Sequence, residues 1–162
     1  LDLSVNTEGI RIRTCEDYRW GMCHVKTVQL LPAAIEQRKA KKAGLADTVF
    51  VSKQGHVREG TCTNMFIVKN HMLITHPLDN HILPGITRDV IIRKICKKEG
   101  LPVQERHYDI NEFYNADEAF LCSSVLKIQP IIEADGKKIG TGAPGTVTRN
   151  IQADYDELVY HL

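Results

Sequence analysis

Neither sign of charge prevails in this sequence. Twenty-one basic and 20 acidic side chains leave a formal net charge of +1, which removes the electrostatic reason to expect nucleic acid or an anionic membrane as a partner. Long apolar runs are missing too. None approaches the roughly 20 residues that a membrane-spanning helix needs. The start, "LDLSVNTEG", has no basic n-region or apolar h-region, so it is not expected to be a signal peptide. No C-x-x-C occurs among Cys15, Cys23, Cys62, Cys96 and Cys122. An odd, widely spaced set of cysteines suits a reducing compartment, and the cytoplasm is the expected location. Internal repeats, low-complexity tracts and linker-like shifts in composition are all lacking. Among seven histidines, His71, His76 and His81 recur every five residues. That period matches neither a helix face nor a strand face, so no metal site is expected.

What is there fits one ordinary domain. The chain has 162 residues, and 43% of them are hydrophobic, enough to build a core. "GIRIRTCED" alternates as a strand does, and "DTVFVSK" reads as a second strand with a turn after it at Gln54-Gly55. "LPAAIEQRKAKKAG" predicts a helix, with Pro32 in its first turn, Leu31, Ala34 and Ile35 beginning one face, and Gly44 at its stop. "NMFIVKN" and "HMLITHP" predict a hairpin bending at Asn70-His71. "LPGITRDVIIRKICKKEG" predicts a helix with a stripe of Ile86, Val90, Ile91 and Ile95, closed by Gly100. "PVQERHY" and "EAFLCSS" follow as strands, and "IQPIIEADGKKIG" as a hairpin on Asp135-Gly136. Helical spacing returns at Val147, Ile151, Tyr155, Leu158 and Val159. The fold class is α/β, with a mixed or antiparallel sheet.

Several short stretches carry chemistry. "GTGAPG", Gly140 to Gly145, matches G-x-G-x-x-G, but the chain has no room after it for the strand and acidic residue of a dinucleotide site. It reads as a turn feeding the last helix. In "LPGITRD", Gly85 permits a close approach, and the amides at Ile86 and Thr87 open a helix whose partial positive charge suits a phosphate. The same residues also make a plain turn with Thr87 near the cap. Ser123 and Ser124 in "CSS" stand where a strand ends, as phosphate donors or simply as a turn. Glu59 in "REGTCTN" precedes small residues that leave room for a flat ligand, or it is a surface glutamate. Lys26, in "WGMCHVKTVQLLP", lies among apolar residues. In an extended segment it shares a face with His24 and Val28. Burial would lower its pKa and free the amine to attack an aldehyde; the alternative is an exposed strand lysine. An amine, a carboxylate and a two-part phosphate cradle are together what pyridoxal 5'-phosphate requires.

In order, "RWGMCHVKT", "LLPAAIEQRKAKKAG", "GHVREGTCTN", "LITHP", "ILPGITRDV", "FLCSSV" and "PIIEADGKKIG" resemble the class IV aminotransferases, the fold-type IV pyridoxal-phosphate enzymes. "RWG-x-C-x-V-K" and "THP" before "ILPGITR" make the pattern most similar to the D-amino-acid aminotransferases. The resemblance implies an α/β (α+β) domain with a mixed or antiparallel pseudo-barrel flanked by helices. It implies that Lys26 holds pyridoxal phosphate through a Schiff base and then shuttles the substrate proton. It places Glu59 on the ring nitrogen and Leu83 on the ring face. The phosphate goes to Gly85, Ile86, Thr87, Ser123 and Ser124, and Arg19 lies near the cofactor's polar edge.

Family members carry a smaller N-terminal domain before this one. Residues 1–162 are therefore expected to be the cofactor-binding C-terminal domain, inactive by itself and homodimeric when full length. The implied reaction moves an amino group between a D-amino acid such as D-alanine and a 2-oxo acid such as 2-oxoglutarate. A 4-amino-4-deoxychorismate lyase and a branched-chain L-amino-acid aminotransferase would share Lys26 and Glu59 and are the alternatives. A non-catalytic nucleotide-binding domain using "GTGAPG" is a more remote one.

Overall fold

In the computed structural model, which describes residues 7–160, the elements run in the following order. First come β1 (Ile10–Glu16), α1 (Leu31–Lys42), β2 (Asp47–Val51), β3 (Val57–Gly60), β4 (Asn64–Lys69) and β5 (Met72–Thr75). A continuous helical run follows, made of α2 (Ile86–Val90), a π-turn (Ile91–Ile95) and α3 (Cys96–Glu99). The chain ends with β6 (Val103–Glu105), α4 (Ile110–Tyr114), β7 (Glu118–Ser123), β8 (Lys127–Ala134), β9 (Lys137–Lys138) and α5 (Thr146–Tyr160). The first six residues of "LDLSVNTEG" lie outside the described residues.

The sheet is mixed, as expected. β1 runs parallel to both β2 and β8, while β3, β4, β7 and β8 join antiparallel. The order β3-β2-β1-β8-β7-β4 closes into a six-stranded barrel because β3 also meets β4, with Glu59 opposite Asn64. β5 and β6 extend the sheet from the other edge of β4.

Strand periodicity explains why "NMFIV" is apolar throughout. Met65 and Ile67 face a core shared with Ile12, Val49, Tyr108 and Phe113. Phe66 and Val68 face a second core beneath the helices, with Ile91, Ile95, Phe120 and Tyr155. Phe66 and Phe120 stack there with centroids 4.9 Å apart. The hairpins turn where expected, with positive φ at Asn70 and His71 and at Asp135 and Gly136.

Three expectations need correction. The inward face of α1 is Ala33, Glu36 and Ala40, while Leu31, Ala34 and Ile35 point outward. In the second helical run Ile91 and Ile95 are buried, but Ile86 is 76% exposed, because α2 turns Thr87 and Arg88 inward and the π-turn then resets the phase. The segment around Lys26 is not extended. It is an irregular loop with a turn at Cys23-His24, and Lys26 is exposed. Its apolar neighbours are exposed as well: Val28 by 96% and Leu31 by 71%.

Candidate active site

The site forms where the barrel closes. Glu59 ends β3 and Asn64 begins β4, and Asn64 pairs on its other side with Cys122 at the end of β7. The carboxylate is buried and has three donors. Arg19 Nη1 donates to Oε1 at 2.7 Å, while the Leu83 N–H at 3.0 Å and Asn64 Nδ2 at 3.1 Å donate to Oε2. The Asn64 amide also donates to the Leu83 carbonyl at 2.8 Å. One side chain thus ties Glu59 to the Leu83 loop.

Burial pushes the Glu59 carboxyl up to about 7, against the pull of the Arg19 guanidinium. Burial also works against the Arg19 charge, but Asp17 and Glu59 outweigh it and raise the Arg19 pKa. Arg19 is spoken for on every side. It donates to Asp17 at 2.8 Å and to the His81 carbonyl at 3.0 Å, and its guanidinium lies 4.2 Å from the centre of the Phe50 ring. Arg58 supplies Asp17 with a second cation at 2.7 Å. Arg19 is a strut for Glu59 rather than a free anion ligand.

Gly85 is the N-cap of α2, and no side chain caps the helix. A Cβ on Gly85 would fall 2.1 Å from Asn64 Oδ1, so only glycine lets the helix start press against Asn64. The amides of Ile86 and Thr87 open at this rim. The Thr87 hydroxyl shares a hydrogen bond with Tyr155 OH at 3.1 Å in the core, which ties the start of α2 to α5. Ser123 Oγ accepts from the Leu126 N–H at 3.0 Å and can still donate, and Ser124 is exposed beside it.

The small residues of "REGTCTN" have a different purpose from the one the sequence suggests. They pack on buried Asp47 rather than leave space. Thr61 and Thr63 donate to its two oxygens at 2.6 and 3.1 Å, and a Cβ on Gly60 would lie 2.6 Å from it. Cys62 alone of the turn is exposed. Burial raises its thiol pKa, and the Lys41 and Lys26 ammonium groups act against that rise. Lys26 therefore stands within electrostatic reach of this turn. The Lys26 loop is anchored to the Leu83 loop by the Cys23 N–H, which donates to the Asn80 carbonyl at 2.8 Å. Two residues before Lys26, His24 Nδ1 is buried without a hydrogen-bond partner.

Asn64 and Asp17 are site residues that sequence reasoning missed. Asn64 closes the quoted "REGTCTN" stretch and was within reach. Nothing local marks Asp17.

"GTGAPG" leads into α5, whose first turn meets the chain's own carboxylate. Glu118 accepts from the N–H groups of Val147 and Thr148 at 3.0 and 2.7 Å, and a Cβ on Gly145 would collide with it. The helix start that a nucleotide phosphate would need is filled.

The family model for amino-transferase class IV matches residues 3–134. The chain belongs to the class IV aminotransferases. Among class IV relatives, a D-alanine aminotransferase of Bacillus licheniformis is 35% identical over 144 residues, covering 89% of this chain and 50% of the relative. One from Staphylococcus haemolyticus is 33% identical over 152 residues, covering 93% and 53%. A solved branched-chain amino acid aminotransferase from Thermobaculum terrenum, in its PLP form, superposes with a TM-score of 0.90 at 32% identity, covering 96% of this chain and 52% of that one. The chain thus spans about half the length of the class IV relatives it matches. Among the described residues, no helix is long and apolar enough to cross a membrane.

Proposed function

We propose that this chain is the cofactor-binding half of a pyridoxal-phosphate transaminase that acts between a D-amino acid, such as D-alanine, and a 2-oxo acid, such as 2-oxoglutarate. The carrying observation is the junction of Arg19, Glu59, Asn64 and Leu83, a buried carboxylate fixed by three donors beside an uncapped helix start. That donor set fits the cofactor: a carboxylate for a protonated ring nitrogen, amides at Ile86 and Thr87 with hydroxyls at Ser123 and Ser124 for a phosphate, and an exposed primary amine on a loop tied to the Leu83 loop through Cys23 and Asn80.

When bound, pyridoxal phosphate supplies an aldehyde that takes up the amino group and a ring that accepts the electron pair released at the substrate α-carbon. Lys26 Nζ would hold the cofactor and move the proton at that carbon. Glu59 would stand against the ring nitrogen, where a carboxylate favours the protonated ring. Arg19 and Asn64 orient Glu59, and Leu83 would cover one face of the ring. The D-alanine preference is supported by the names of relatives such as those of Bacillus licheniformis and Staphylococcus haemolyticus. The branched-chain reading is supported by solved structures such as that from Thermobaculum terrenum. The exposed apolar run of Met22, Val25, Val28, Leu30, Leu31 and Ile35 supports a further domain or a second copy packing there, as in a homodimer.

Titration of the chain with pyridoxal phosphate is expected to give a visible absorption band that Lys26→Ala abolishes; a band that survives in the variant overturns the assignment of Lys26. Turnover by the full-length protein with D-alanine and 2-oxoglutarate, against L-leucine and against aminodeoxychorismate, decides the substrate. Activity on L-leucine alone would overturn the D-specific reading.

A further inference from the structure

Strands β5 and β6 run parallel side by side, and each is followed by a histidine where it ends: His76 after β5 and His107 soon after β6. The Arg106 N–H donates to the Thr75 carbonyl at 3.0 Å, which extends the ladder and keeps the two segments in register. Asp79, on the loop leading to α2, joins them. One ligand atom from each of His76, Asp79 and His107 lies within 4.8 Å of the other two.

The details are those of a coordination site. His76 is buried, and its Nδ1 sits 2.9 Å from the Pro77 carbonyl. A carbonyl only accepts, so Nδ1 carries the hydrogen and the neutral ring presents its lone pair at Nε2, 3.8 Å from Asp79 Oδ2. Metal-ligating histidines are usually oriented this way, with the other ring nitrogen tied to a carbonyl or carboxylate. Asp79 is positioned in turn by His81, whose N–H donates to Oδ1 at 2.8 Å and whose Nδ1 lies 3.3 Å from Oδ2. The His107 ring meets His76 edge-on at 4.7 Å and stacks on His56 at 4.9 Å. The nearby cations are neutralised elsewhere: Arg58 pairs with Asp17, and Arg88 pairs with Glu105. None of His76, Asp79 and His107 has a part in the cofactor reading.

We propose that His76, Asp79 and His107 form a binding site for a divalent transition-metal ion of the zinc type, which clasps the β5–α2 loop to the end of β6. Two imidazoles and one carboxylate suit zinc, cobalt or nickel better than calcium or magnesium, which take oxygen ligands. Metal–ligand bonds of about 2.0–2.2 Å in a tetrahedron set the ligand atoms about 3.3 Å apart. The present spacing closes by rotation of the exposed His107 ring and a small advance of the Asp79 loop onto the fixed His76. The loop so held carries Leu83 and Gly85.

The test is calorimetric titration of the full chain with zinc chloride alone, with thermal melts in the same samples. One zinc per chain is expected, with a zinc-dependent rise in Tm. His107→Ala and Asp79→Asn, both changes at accessible positions, should each weaken binding at least tenfold and remove the rise. His71→Ala and Cys62→Ser should leave both unchanged. Zinc binding of equal strength in wild type, His107→Ala and Asp79→Asn overturns the proposal. So does binding lost on Cys62→Ser, or wild-type affinity weaker than about 1 mM.

Discussion

Asn64 shows how much a single side chain can join. Its amide reaches Glu59 and the Leu83 carbonyl, and its oxygen lies where a Cβ on Gly85 would be. Asn64→Ala leaves a buried carboxylate oxygen and a carbonyl each short of a donor, which costs about 1–3 kcal/mol. Urea denaturation should show that loss with an unchanged m-value. Glu59 draws notice in the sequence because small residues follow it, although those residues pack on Asp47, whereas Leu83 and Arg19 are singled out only through the family resemblance. The partners that fix them are not legible in the sequence. Asp17 meets Arg58 across 41 positions and Arg19 meets Glu59 across 40, separations at which a sequence offers no sign of contact. The proximity of His76 and His107 was equally hidden, because it follows from the parallel pairing of β5 with β6 and not from any spacing along the chain.

At the scale of elements, long periodic segments were readable and short ones were not. α1, α5 and both hairpins stand where the pattern put them, within a residue or two. β3 was absorbed into a turn, and α4 was missed although its signature is present. Asp109 caps it, accepting from the Glu112 N–H at 2.8 Å, and Asp-x-x-Glu is the sequence form of that cap. The π-turn has no such signature and broke the predicted stripe at Ile86. Glu118 illustrates what an element end requires. It serves the first turn of α5 from a neighbouring strand, so Glu118→Ala strips two amides of their acceptor and removes a favourable charge at a helix start. The expected loss is about 1–2 kcal/mol, read as a lower Tm. Amide exchange should quicken first at Val147 and Thr148.

Across the whole molecule, the mixed sheet followed from the pattern of elements, but its closure into a barrel depends on which strand edges meet. One residue in the wall links helix and sheet against acid. Glu36 of α1 is buried and receives Arg13 at 2.6 Å, Tyr18 at 2.8 Å and Lys39 at 2.7 Å. Burial alone would raise its pKa, but these three partners outweigh it and bring the carboxyl down to about 2. Its ordinary value is 4.5, so the unfolded chain binds the proton more readily. The stabilisation is complete above the ordinary value and is lost as pH falls through about 2. Glu36→Gln should therefore lower stability near neutral pH by on the order of 2 kcal/mol. It should also flatten the acid limb of a stability–pH curve.

The barrel is a hoop joined at its last stitch by Glu59 and Asn64, the same pair that meets Arg19 and the Leu83 loop. A slip of one residue at that seam would turn the Glu59 carboxylate to the opposite side of the wall and part it from all three of its donors at once.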